Sequence, residues 1–189
     1  MARGADHPIN TAFIRRWSGR AMSGAPVSRG ELMRLFEAAR FAPSSGNAQP
    51  WRFVFAVRDT PGFAELFQCL DDGNRAWCVR AGALIVICAQ TVLDSGKPNR
   101  YALFDAGAAW MALALQGTAQ GLVVHALGGF DGDRLRAVVH PPEGIEIIAV
   151  VAVGLPGNAA DLSARDQSRE QPNDRRPQGA FVIENRFAP

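Results

Sequence analysis

With 189 residues, 48% of them hydrophobic, and a formal net charge of +2, the chain has the composition of a globular protein with a sizeable core. A charge that small excludes a dedicated nucleic-acid binder. The three cysteines, Cys69, Cys78 and Cys88, form no C-x-x-C pair, and His7, His125 and His140 are scattered, so neither a disulfide framework nor a metal site is expected. Lys97 is the only lysine, an arginine bias ascribed more to genome composition than to chemistry.

In chain order, Asn10 to Arg16 reads as a short helix with Phe13 and Trp17 on one side. Pro26 stops the chain, and Ser28-Arg29-Gly30-Glu31 is a capping box that opens a helix running to about Phe41, with Leu32, Leu35, Phe36 and Ala39 on one face. Trp51, Phe53, Phe55 and Val57 alternate as in a strand, and Pro61 begins a helix carrying Phe63, Leu66, Phe67 and Leu70. The run Ala83 to Ala89 predicts a strand buried on both faces. The stretch Asn99–Gln120 predicts a helix apolar all round, buried in one core or between subunits. Leu122 to Ala126 is a short strand, Asp131 or Asp133 caps a helix bearing Leu135, Val138 and Val139, and Ile145 to Val153 is the last core strand. Beyond it, residues 155–178 turn polar, with Pro156, Pro172 and Pro177 among many charges. Phe181-Val182-Ile183 then gives an isolated apolar strand signal, which either joins some sheet or frays. No basic-then-apolar leader is visible, and Asp105, Gln116 and Gln120 interrupt the apolar stretch from Tyr101 to Val124. A cytoplasmic protein without membrane spans is therefore expected.

Two segments carry chemistry. Ala42-Pro43-Ser44-Ser45-Gly46-Asn47-Ala48-Gln49-Pro50-Trp51 is a polar loop fixed by proline at each end, between a helix and a strand. Such a loop suits the presentation of hydrogen-bonding groups to a small ligand, although alone it is a structural turn as readily as a site. Arg15-Arg16-Trp17-Ser18-Gly19-Arg20 clusters guanidinium groups, which bind phosphate through paired charge-assisted bonds; by itself it also reads as a solvated helix end. There is no G-x-G-x-x-G after a strand, no P-loop and no G-x-S-x-G elbow.

Arg16-Trp17-Ser18-Gly19-Arg20, Pro43 to Trp51, Gly73-Asn74-Arg75-Ala76-Trp77, Leu127-Gly128-Gly129-Phe130-Asp131 and Asn173-Asp174-Arg175-Arg176-Pro177 follow one another in an order that resembles the nitroreductase family of flavin enzymes. The resemblance implies an α+β sandwich, a mostly antiparallel sheet flanked by helices, in an intertwined homodimer. It implies one FMN-binding domain over residues 1–189, with residues 155–189 as an arm reaching the partner subunit and Phe181–Ile183 crossing to its sheet. Arg16, Trp17, Ser18, Arg20 and Arg175 are then expected at the FMN phosphate or flavin edge. Pro43, Ser44, Ser45 and Asn47 would reach the flavin of the other subunit, and Asn74 its pyrimidine side. Gly128 and Gly129 would let backbone approach the ring. The chain departs from the family pattern at Trp77, near which relatives carry a lysine, and at Asn173, where a lysine is usual; Arg20 is the expected substitute for the first.

The activity so implied is NAD(P)H-dependent reduction of a small organic acceptor, such as a nitroaromatic or quinone, by a ping-pong mechanism. The cofactor supplies the chemistry, so no side chain is singled out as catalytic. Two other readings remain open: a module that stores or senses FMN without turnover, and an interaction protein with a vestigial site. Phe104, Trp110 and Phe130 are expected in the core, and the sequence does not distinguish NADH from NADPH.

Overall fold

The computed structural model describes residues 3–187. The chain forms α1 (Thr11–Arg15), α2 (Arg29–Arg40), β1 (Trp51–Val57), α3 (Pro61–Gln68), α4 (Asp72–Cys78), β2 (Ala83–Gln90), α5 (Ala102–Ala119), β3 (Val123–Leu127), α6 (Gly132–Val139), β4 (Ile145–Gly154) and α7 (Ala164–Gln167). Most of the helix starts are written locally. Ser28 and Glu31 form the reciprocal capping box of α2, with the Ser28 amide donating to Glu31 Oε2 at 2.8 Å. Thr60 caps α3 ahead of Pro61, Asp71 caps α4, and Asp131 rather than Asp133 caps α6.

The four strands form one antiparallel sheet in the order β1-β2-β4-β3. Every residue of β2 except Gln90 is buried, so both faces of the sheet centre must be covered. Strand periodicity divides the work. Ala83, Ile85, Ile87 and Ala89 pack with Leu32, Leu35 and Ala39 of α2 and with Ala106, Ala109 and Leu113 of α5. Leu84, Val86 and Cys88 pack with Phe63 and Leu66 of α3, Trp77 and Cys78 of α4, and Leu135 of α6. Two cores thus flank one sheet, an α+β sandwich as expected.

Several boundaries move. The Asn10–Arg16 helix is confined to α1, the Asn99–Gln120 helix to α5, and β3 begins one residue later than Leu122. Gly73–Trp77 lies inside α4, capped by Asp71, and precedes β2. Phe181–Ile183 joins no sheet of its own chain: a 3₁₀ turn at Gln178–Ala180 precedes it and its side chains are exposed. Within this single chain α5 is not covered all round: Ala102, Ala106, Ala109 and Ala114 face the core, while Phe104, expected there, is 78% exposed. Trp110 and Phe130 pack at the edges of the two cores. Among the described residues no helix is long and apolar enough to cross a membrane.

Leu113 is fully buried at the α2–α5–sheet contact, so Leu113→Ala should lower unfolding free energy by about 2–5 kcal/mol, whereas Ser28→Ala at the α2 cap should cost about 1 kcal/mol. Urea denaturation of the two variants would test that ranking.

Candidate flavin site

The segment Arg16–Ala21 leaves α1 as an extended strap and passes the start of β3. Its carbonyl at Gly19 meets His125 Nδ1 at 3.0 Å; a carbonyl only accepts, so Nδ1 carries the proton. The C-terminal arm grips the same strap. Glu170 accepts the backbone amides of Arg20 and Ala21 at 2.9 and 2.8 Å, and buried Asp166 stands 3.8 Å from the Arg20 guanidinium. Asp166 is itself fixed by the Ser163 hydroxyl at 2.7 Å. Arg20 also lies over the ring of Trp77, 5.9 Å from its centroid, and Trp77 stacks on His125 at 4.7 Å.

Arg3 draws the two walls together. Its guanidinium donates to the carbonyls of Ile14, Arg16 and Asn173, at 3.3, 2.7 and 2.9 Å. The result is a polar cavity of about 350 Å³ lined by Arg3, Arg16, Arg20, Arg169 and Arg175 together with Ser18, Trp17 and His125. Burial, then the charges of Arg3 and Arg175, hold the Arg16 guanidinium below the ordinary arginine value. Burial likewise lowers His125; the Gly19 bond and Glu170 pull the other way, and Arg20 and Arg169 add to the lowering. Crowded cations among neutral donors suit a dianionic phosphate, so the donor set fits one end of FMN.

A second group lies at the turn after β3. The Gly129 carbonyl accepts from the Asp71 amide at 3.1 Å and from Asn74 Nδ2 at 3.0 Å, stitching this turn to the start of α4. A Cβ on Gly129 would collide with Asp71 and Asn74, so the absent side chain is required by this internal packing. Gly128 is different: a Cβ there would meet nothing within 4 Å, leaving its backbone open to a ring. Asn74 keeps its Oδ1 and a second N–H. Trp77 is buried in the core, so it is no stand-in for a charged contact.

The Pro43–Asn47 loop is not brought to this cavity; Asn47 lines a different one. The loop is exposed and tightly shaped. Buried Asp105 of α5 accepts the Ser45 amide at 3.1 Å, Ser44 Oγ accepts the Gln49 amide at 3.0 Å, and Gly46 and Asn47 take φ values of 57° and 56°. Among the described residues the Ser45 hydroxyl and the Asn47 side-chain amide have no partner, so both are available to a ligand or a second chain. The sequence missed Arg3, His125, Asp166 and Glu170; only their partners across the fold reveal them. Among the described residues no three His, Cys, Asp or Glu side chains group as metal ligands.

Two outcomes follow for the strap. Glu170→Ala leaves two amides without their charged acceptor and should cost about 1.5–3 kcal/mol in urea unfolding, with Glu170→Gln recovering part of it. For His125 the folded value lies below the unfolded one, so the unfolded chain takes up the proton first. Its share of stability is intact above about pH 6.5 and declines as pH falls toward the folded value. His125→Phe should flatten that part of the stability–pH curve, measured by urea melts from about pH 5 to 8.

Comparison with known proteins places this arrangement. The Nitroreductase family model matches residues 14–68 and 60–155. A protein of Archaeoglobus fulgidus provisionally named NADH dehydrogenase/NAD(P)H nitroreductase is 30% identical over 84% of this chain and 90% of its own length. The NADH dehydrogenase of Thermus thermophilus is 30% identical over 82% of this chain and 90% of its own. A crystal structure described as an oxidoreductase containing FMN superposes with a TM-score of 0.94 at 34% identity, covering 98% of this chain and 96% of that one. The chain belongs to the Nitroreductase family.

Proposed function

We propose that the chain is an FMN-dependent oxidoreductase that takes electrons from NAD(P)H and passes them to a small organic acceptor such as a nitroaromatic or quinone. The single observation that carries this reading is the cavity of guanidinium groups, whose lining includes Arg16, Ser18, Arg20 and Arg175, the residues expected at the phosphate. When bound, FMN supplies a two-electron relay that separates donor oxidation from acceptor reduction, which gives ping-pong kinetics.

The protein's part is binding and orientation. Arg16 and Arg175 present fixed positive charge to the phosphate, Arg3 and Glu170 hold the strap and arm that carry them, and Ser18 adds a hydroxyl. Asn74 offers its remaining amide groups to the ring's pyrimidine edge, and Gly128 leaves room for the ring beside the backbone. No side chain is assigned as an acid or nucleophile.

The unit we propose is a cytoplasmic homodimer, with residues 1–189 as one FMN-binding domain and residues 155–189 as an arm reaching the partner. Three observations support it. The Pro43–Asn47 loop carries unpartnered donors away from its own arginine cavity. Phe104, Phe181 and Phe187 are 78%, 60% and 80% exposed, more aromatic surface than a lone chain keeps wet without use. Tyr101 and Leu103 extend the apolar patch at the start of α5.

Purified protein should be yellow, and anaerobic NADH or NADPH should bleach the flavin band. A flavin spectrum that resists both donors would indicate a binding module, and failure to take up FMN at all would overturn the reading. Arg16→Ala should weaken FMN binding about 10–100-fold, the loss of one charge-assisted contact, read by flavin fluorescence on dilution.

A further inference from the structure

His125 of β3 lines the arginine cavity with one of its two ring nitrogens unused. Its Nδ1–H is committed to the Gly19 carbonyl at 3.0 Å, and its ring lies against Trp77, with centroids 4.7 Å apart. In the neutral imidazole Nε2 therefore carries the lone pair. Among the described residues nothing donates to that lone pair, and Nε2 is not sealed from solvent. The cations around it are turned elsewhere. Arg3 donates to three carbonyls, Arg16 bonds Ser18 Oγ at 3.4 Å, Arg20 faces Asp166, and Arg175 donates to the carbonyls of Asn173 and Asp174.

A phosphate dianion entering this cavity brings only acceptors, and two facing acceptors need a proton between them. The empty site does not hold one at neutral pH. Burial keeps His125 uncharged there, the Gly19 bond and Glu170 oppose it, and Arg20 and Arg169 reinforce it. Arg3, Arg16 and Arg175 line the same cavity, while α4 presents the Trp77 ring and β4 pairs Ala152 with His125, neither of them ionisable. On the flavin reading, on which this rests, we propose that the cavity takes the FMN phosphate together with one proton from solvent, shared between a phosphate oxygen and His125 Nε2. His125 then has two duties: Nδ1–H fixes the strap, and Nε2 grips the cofactor through a proton absent from the empty site. Between the pH at which the empty site loses that proton and the pH at which the complex loses it, affinity falls as pH rises, by up to about tenfold per pH unit. A site that took the dianion alone would show the reverse, losing affinity as pH drops toward the phosphate's second pKa of about 6.

The test is calorimetric titration of flavin-free protein with FMN, from about pH 6.5 upward, in pairs of non-phosphate buffers with unequal ionisation enthalpies. Wild type should take up close to one proton per FMN and bind more weakly as pH rises. His125→Gln, which has no proton to gain, should lose the uptake and flatten the slope. A purely structural part for His125 would instead weaken the variant by one factor at every pH and leave the uptake in place. Should His125→Gln fail to fold, nitrogen NMR of histidine-labelled wild type reads the same event, since the chain has only three histidines. On adding FMN the His125 Nε2 signal should move from the unprotonated toward the protonated range. FMN binding without proton uptake, uptake unchanged in His125→Gln, or an Nε2 signal that stays put would each overturn the proposal and leave the flavin reading standing. Failure of FMN to bind in any buffer would overturn the flavin reading itself, and the proton with it.

Discussion

The constraint on which the molecule depends is that β2 is buried on both faces. A strand in that position requires apolar cover above and below, and the alternation of its side chains assigns α2 and α5 to one layer and α3, α4 and α6 to the other. Helices occupy both faces, so polar chemistry is pushed to the sheet's rim. One site grows beyond β3, where the strap and the arm meet. The other polar cavity grows at the opposite edge, where β1 begins and β2 ends. Both are consequences of where the cores are not.

At the β3 rim the governing term is electrostatic. Five arginines share one cavity, and like charges that close oppose folding unless the backbone is held against them. The chain meets this with acceptors that carry their own structural duty. Arg3 is taken up by three carbonyls, Arg20 lies near Asp166 and over Trp77, and Glu170 collects two amides of the strap. Arg16 is left half-buried, bonded at 3.4 Å to Ser18 Oγ and repelled by Arg3 and Arg175. A doubly charged ligand would relieve that repulsion, so binding free energy is stored in the arrangement of the unliganded protein. Trp77 fits the same logic. Its buried ring lies under the Arg20 guanidinium and against His125, supporting the strap from below.

What was legible in the sequence was local. The capping box at Ser28–Glu31, Pro61 at the start of α3, the alternation of β1 and the buried run of β2 are each decided within a few residues, and the structure keeps them. The motif residues of the strap were legible too, and Arg16, Ser18, Arg20 and Arg175 do line one cavity. What positions them was not. Glu170 meets Arg20 across 150 residues and Arg3 meets Asn173 across 170, and no spacing rule encodes such pairs. Gly129 illustrates the same limit. A Gly-Gly pair looks like clearance for a ligand, yet only Gly128 faces open space, and Gly129 accommodates Asp71. The Phe181–Ile183 signal finds no sheet within its own chain, because apolar content alone does not say which sheet a segment joins.

The division of the motif residues between two places is itself informative. Asp105 is a buried polar side chain in an otherwise small, apolar helix face, and it accepts the Ser45 amide. Burying a polar side chain for one hydrogen bond contributes little to stability by itself. The arrangement makes sense if the shape of the Pro43–Asn47 loop matters more than the stability of α5. The loop also holds Gly46 and Asn47 in the left-handed region, with Ser45 and Asn47 side chains turned to solvent. A loop strained, anchored and left unsatisfied suits the contact with a second chain that we propose for it. The apolar surface of α5, which begins at Tyr101 beside that anchor, offers the area on which a second copy would carry its arginine cavity toward it.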